Sequence, residues 1–121
     1  MPKIRNRLTL FGVVASMLMI GCEPDPRYAP VCTILSVERQ PEVFIINGEP
    51  DAGYKVLVTV KNIGQPGKIR VATRLGTSEG DWERVRSRMF EVNETQVLRF
   101  DFPDPTINAS NIQAVAECRW P

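Results

Sequence analysis

The chain has 121 residues, 43% hydrophobic and 24% charged, with a formal net charge of +1; these proportions fit one globular domain and exclude disorder throughout. Histidine is absent, which excludes Ser-His-Asp and Cys-His nucleophiles, His-containing zinc sites and the usual near-neutral acid–base group. Lys3, Arg5 and Arg7 precede Cys22 without an acidic residue among them, so the part from Cys22 onward carries 12 basic against 14 acidic residues and gives no whole-molecule argument for nucleic-acid binding.

Residues 1–22 read MPKIRNRLTLFGVVASMLMIGC. Lys3, Arg5 and Arg7 form a positive n-region, and Leu8 to Ile20 an apolar stretch of the length expected for a secretory leader. A bilayer-spanning helix needs about 20 apolar residues, so a retained transmembrane helix is the second reading. Met19-Ile20-Gly21-Cys22 resembles a bacterial lipobox. The resemblance implies cleavage before Cys22, diacylglycerol on its thiol and often a further acyl chain on its freed amine. Two or three chains make a stable anchor where one holds only marginally. The residue after the cysteine is Glu23 and not Asp, which by the same resemblance points to the outer membrane. The alternative is an ordinary leader followed by a spare thiol at Cys22.

Residues 22–31 hold three prolines and no periodicity; they read as a stiff tether or as the first loop of the domain. From there the chain alternates on a two-residue period between turn signals. The expected strands are Val31 to Glu38, Glu42 to Asn47, Tyr54 to Ile63, Lys68 to Leu75, a less regular Val85 to Val92, Thr95 to Phe102 and Asn111 to Trp120. Tyr54, Val56, Val58 and Val60 share one face; so do Ile69, Val71 and Leu75, then Leu98, Phe100 and Phe102, then Ile112, Ala114, Ala116 and Cys118. Short strands at this spacing with Gly/Pro turns predict an all-β fold, an immunoglobulin-like β-sandwich of about seven strands over residues 32–121. Each strand offers one apolar face, so two sheets must face each other.

The run Val58-Thr59-Val60-Lys61-Asn62-Ile63-Gly64 resembles a strand-and-turn of bacterial immunoglobulin-like modules, nearest the cell-adhesion-related domain found in bacteria (CARDB). Phe90 to Thr95, followed by Val97 to Phe100, resembles that family's turn before its penultimate strand. The resemblance implies a spacer, adhesion unit or accessory domain.

If Cys22 is acylated, Cys32 and Cys118 are the two cysteines left in an oxidising compartment. Lying in the first and last strands, they are expected to form a disulfide; two buried reduced thiols are the alternative. Arginine supplies the other conspicuous pattern. Arg84, Arg86 and Arg88 alternate along one strand, Lys68, Arg70 and Arg74 along another, and Arg99 near the same phase of a third. On one sheet face they would form a cationic patch for phosphate, lipid A, an acidic glycan or an acidic protein. The plainer reading is a solvated face paired with Glu83, Glu91 and Asp101. Three carboxylate pairs, Glu49 with Asp51, Glu79 with Asp81 and Asp101 with Asp104, sit beside Gly or Pro, where acidic residues are common in turns; a calcium site or acid–base work on a sugar is the alternative. Trp82 and Trp120 read as core filler or loop anchors, with ring stacking on a ligand as the alternative.

The expected protein is therefore a lipid-anchored domain of the cell envelope, facing the periplasm or exterior. It is expected to be non-enzymatic, without metal or cofactor, and to meet an envelope protein through a sheet face or edge. An accessory protein binding an anionic ligand through Arg70, Arg74, Arg84, Arg86 and Arg88 is the second expectation.

Overall fold

A computed structural model describes residues 27–120; the leader, Cys22 and Pro121 lie outside them. Six strands follow in chain order: β1 (Cys32–Ile46), β2 (Glu49–Asn62), β3 (Gly67–Thr77), β4 (Gly80–Phe90), β5 (Thr95–Phe102) and β6 (Gln113–Arg119). They form two antiparallel three-stranded sheets, ordered β1-β2-β5 and β4-β3-β6. Two such sheets packed face to face make a β-sandwich.

Six strands stand where about seven were expected, because Val31 to Glu38 and Glu42 to Asn47 are one strand. The chain runs straight through Pro41, which pairs with Tyr54. Since β1 is the edge of its sheet, the N–H that proline lacks is not needed for a second neighbour. A bulge between Ile34 and Ser36 absorbs one extra residue. Asn47 and Gly48, at φ 53° and 82°, close the β1–β2 hairpin with the positive dihedrals that a two-residue turn demands.

The alternation read from the sequence sets the core. Val56, Val58 and Val60 of β2 and Leu98, Phe100 and Phe102 of β5 face Ile69, Val71 and Leu75 of β3 and Phe90 of β4, all buried. Cys32, Ile34, Tyr54, Trp82, Ile112, Ala114 and Ala116 pack around its margin. Cys32 and Cys118 are disulfide-bonded with Cα atoms 6.0 Å apart, joining the edge strands of the two sheets on the same side. Their separation of 86 residues makes this closure worth roughly 4–5 kcal/mol as restricted unfolded-chain entropy.

One polar side chain continues the valine phase of β2. Asn62 is completely buried, and its amide makes four hydrogen bonds. Its Oδ1 accepts from the amides of Val31 and Gly64, each at 2.9 Å, and its Nδ2 donates to the carbonyls of Gln65 at 2.8 Å and Glu91 at 3.1 Å. Its backbone amide donates to the Glu94 carbonyl and its carbonyl accepts from the Asn93 amide. One residue thus holds the entering chain, the β2–β3 turn and the β4–β5 turn together. Gly64 lies so close to the entering segment that a Cβ there would come within 2.9 Å of the Val31 nitrogen. The contrary case is Thr73, whose fully buried hydroxyl has no hydrogen-bond partner.

The directions of the strands divide the molecule into two ends. The entering chain, the β2–β3 and β4–β5 turns, the disulfide and the end of β6 lie at one end. The β1–β2 turn, the β3–β4 turn and the β5–β6 loop lie at the other, the β1–β2 turn being about 45 Å away along β2 by strand rise. At the first end Gln65 donates to the Ala29 carbonyl and Ile63 to that of Val31. Residues 29–31 are therefore built into the domain.

Two stability changes of opposite sign are expected. Asn62→Ala strands two donors and two acceptors and should lower the unfolding free energy by roughly 3–5 kcal/mol in urea titration. Thr73→Val keeps the shape, removes an unpaired buried hydroxyl and should raise it by about 1 kcal/mol; a lower midpoint for this variant would mean that the hydroxyl is satisfied in solution.

Candidate functional site

The register decides where the arginines go. In an antiparallel pair, directly opposed residues share a face. Arg70 and Arg74 oppose Ser87 and Glu83 on the outer face of the β4-β3-β6 sheet. Arg84, Arg86 and Arg88 oppose Thr73, Val71 and Ile69, so they lie on the inner side, in phase with Trp82 and Phe90. Arg99 opposes Leu57 on the outer face of the other sheet. The single cationic face that the alternation suggested does not form, because the two arginine runs sit on opposite faces of one sheet.

The inner-side arginines act at the β4–β5 side of the sandwich, where two edge strands from different sheets run alongside. Arg84 lies over the Phe102 ring at 5.0 Å and pairs with Asp104 at 2.5 Å. Arg86 donates to the Arg99 carbonyl at 2.6 Å, and Gln96 reaches back from β5 to the Met89 carbonyl at 2.8 Å. Side chains thus satisfy edge carbonyls that no neighbouring strand pairs. Arg88 is exposed and Arg74 likewise. Arg70 meets the Trp120 carbonyl at 3.4 Å.

Of the carboxylates expected beside arginines, Glu83 pairs with Arg119 at 2.5 Å and Asp101 with Arg99 at 2.6 Å. The Glu91 backbone amide donates to the Glu94 carboxylate. Asp101 first, and Glu42 after it, hold the Arg99 guanidinium more firmly protonated than usual. The paired carboxylates do not converge on a common point. Asp104 serves Arg84, and Glu79 accepts from both the hydroxyl and the amide of Thr106, the latter at 2.8 Å. Glu49 and Asp51 are exposed near the hairpin tip. Among the described residues no group of three or more Cys, Asp or Glu side chains is placed to hold a metal ion. Trp82 packs at the core margin, while Trp120 is exposed.

The feature that the arginine pattern did not signal is the far end of the β1–β2 hairpin. Val43 and Ile45 oppose Ala52 and Pro50, on the face that further along the same strands forms the core. Here β6, only seven residues long against fifteen in β1, no longer covers them. Val43 is 64% exposed, Ile45 69% and, on the hairpin's other face, Ile46 41%. Ile107 of the β5–β6 loop is 83% exposed and lines the same open groove of about 630 Å³ with Thr106, Pro41, Glu42, Val43, Ala52, Gly53 and Tyr54. Gly53 lets the strand approach the Phe102 carbonyl, where a Cβ would stand at 2.5 Å.

The loop carrying Ile107 is tied down from the other sheet. Glu79 holds Thr106, the Ser78 amide donates to the Ser110 carbonyl at 2.8 Å, and the Ser110 amide donates to Ser78 Oγ at 3.0 Å. Pro105 is fully buried. The arrangement offers a ready-made apolar surface of defined shape, with ordered loop and hairpin side by side.

The Thr106 hydroxyl, then its amide, lowers the Glu79 carboxyl below its ordinary value. A carboxyl lowered by folding contributes above the unfolded value and loses its contribution as pH falls through the lowered one. Amide exchange in the β5–β6 loop, corrected for its intrinsic rate, should therefore accelerate on acidification below about pH 4. Thr106→Val should show the faster exchange already at neutral pH; an acid response unchanged in this variant would remove Glu79 as its source. No family model, no characterised protein and no solved structure matches this chain.

Proposed function

We propose that this chain is an exported bacterial lipoprotein, acylated on Cys22, that displays a small β-sandwich for contact with another protein of the cell envelope. The observation that carries the reading is polarity of placement. The chain that follows Cys22 in sequence joins one end of the sandwich at Ala29 and Val31, and the exposed apolar residues Val43, Ile45, Ile46 and Ile107 lie at the other. A surface held away from the anchor is the one a membrane-tethered module can offer to a partner. Exposed apolar clusters on a small domain mark such interaction sites.

Three further observations support the reading. The leader and Gly21-Cys22 resemble a lipobox. The Cys32–Cys118 disulfide suits an oxidising compartment. The order β1-β2-β5 over β4-β3-β6 has the hairpin-and-crossover pattern expected of an immunoglobulin-like sandwich, as the resemblance to the bacterial adhesion-related module implies. The role is one of binding and presentation, without chemistry on a substrate. By the residue after Cys22, the outer membrane is the membrane concerned.

The reading is tested with the intact acylated protein in detergent-solubilised envelope. Wild type should retain a protein partner that the double variant Val43→Glu/Ile45→Glu loses, the variant staying folded because both sites are exposed and a surface change costs within about 0.5 kcal/mol. Labelled palmitate should appear on wild type and disappear with Cys22→Ser. Equal retention by the hairpin variant would move the contact elsewhere, and label surviving on Cys22→Ser would remove the anchor.

A further inference from the structure

The end of the sandwich nearest the anchor carries its own exposed pattern, unlike the far end in chemistry. Tyr28 is 78% exposed, Ile63 52%, Met89 65% and Trp120 54%. They project from the entering segment, the β2–β3 turn, the end of β4 and the residue after β6, all at this end. Cations stand among them. Lys68 opposes Met89, Arg88 opposes Ile69 at the start of β3, and Arg70 opposes Arg119 next to Trp120. Lys68 and Arg88 meet no carboxylate among the described residues. Lys61 lies half-buried one residue before the Asn62 hub. The carboxylates at this end are Glu91 and Glu94 in the β4–β5 turn and Glu117, which is taken up by Arg119 at 2.7 Å; Glu94 is drawn inward to the Glu91 amide at 2.7 Å.

We infer that this end of the domain is a membrane-docking surface, in which Ile63, Met89 and Trp120 touch the interfacial region of a bilayer and Lys68, Arg70 and Arg88 meet anionic lipid headgroups. The inference rests on the lipoprotein reading for the proximity of the bilayer. The number of residues between the acylated cysteine and the domain argues for that occupant. Ala29 is fixed to the domain by Gln65, and the seven covalent steps from Cys22 to Ala29 span roughly 25 Å at most. A domain held so close meets lipid before any other partner on this side. Exposed aromatic and aliphatic side chains interleaved with cations are what an interface of headgroups and acyl chains accepts. Docking would also fix the orientation of the far end, pointing Val43, Ile45 and Ile107 away from the membrane.

The test uses the full acylated protein in a Trp82→Phe background, which leaves Trp120 as its only tryptophan. The protein is placed in phosphatidylcholine vesicles containing bromine-labelled lipid, with or without phosphatidylglycerol. Trp120 emission should be quenched strongly only when phosphatidylglycerol is present. Lys68→Glu/Arg88→Glu should lower the docked-to-undocked ratio by at least about fivefold for each charge removed while the protein stays anchored. High salt should act in the same direction. Quenching that is absent, or equal in the two lipid compositions and in the variant, overturns the inference even if the anchor is present. The mass of the mature N-terminus reports acylation separately. If Cys22 is unmodified, the lipoprotein reading fails, and the same quenching comparison on that unacylated chain still decides whether the surface binds anionic lipid.

Discussion

The sandwich depends on a buried carboxamide. Strands of this kind pack readily in two sheets, but the sheets must be joined, and each crossing leaves backbone groups facing inward without ladder partners. Asn62 meets that need where the entering chain and two of the three crossing connections, β2–β3 and β4–β5, come together, with every donor and acceptor of its amide used. Burying an amide without partners is costly, whereas a fully satisfied one fixes a unique arrangement. Gly64 belongs to the same device, because only a residue without Cβ lets the turn come against Ala29 and Val31.

The two long sides of the sandwich are closed by different chemistry. On the β1–β6 side a covalent bond joins the edges at Cys32 and Cys118. On the β4–β5 side guanidinium and carboxamide side chains reach across to main-chain carbonyls. Arginine suits this second kind of closure, since its stem and planar head cover the Phe102 ring while its fork of donors engages carboxylate or carbonyl oxygens. Most of the charge in this region is therefore engaged in closing the fold. Lys68 and Arg88, which take no part in that closure, lie near the end where residues 29–31 join the domain, and Arg74 stands exposed farther along β3.

The ends also differ. At the end where residues 29–31 join the domain, the Asn62 network and the disulfide hold the strands together. At the far end the hairpin outruns β6, so core-phase residues emerge into solvent, and the loop bearing Ile107 is held beside them through Glu79 and Ser78. Unequal strand lengths in the two sheets produce the exposed apolar surface. A shorter β1 would have ended at the cover that β6 provides.

Period-two alternation determined the strand phases and the composition of the core, because a half-buried strand must turn every second side chain inward. Val56 to Val60, Ile69 to Leu75 and Leu98 to Phe102 all face as their sequence demands. The cysteine count likewise led to the Cys32–Cys118 bond, since two thiols in the first and last strands can meet when sheets stack. What the sequence could not carry was pairing between distant segments. Pro41 marks a break in a central strand and is tolerated in an edge strand, and only the sheet order distinguishes the two. Arg84 to Arg88 were in phase with Trp82 and Phe90, a sign of an inward face. Without knowing that β4 is an edge, charge suggested an outward one. The tertiary structure alone decided which strand lies at an edge and where its cover ends, because both depend on which chain segment fills the neighbouring space.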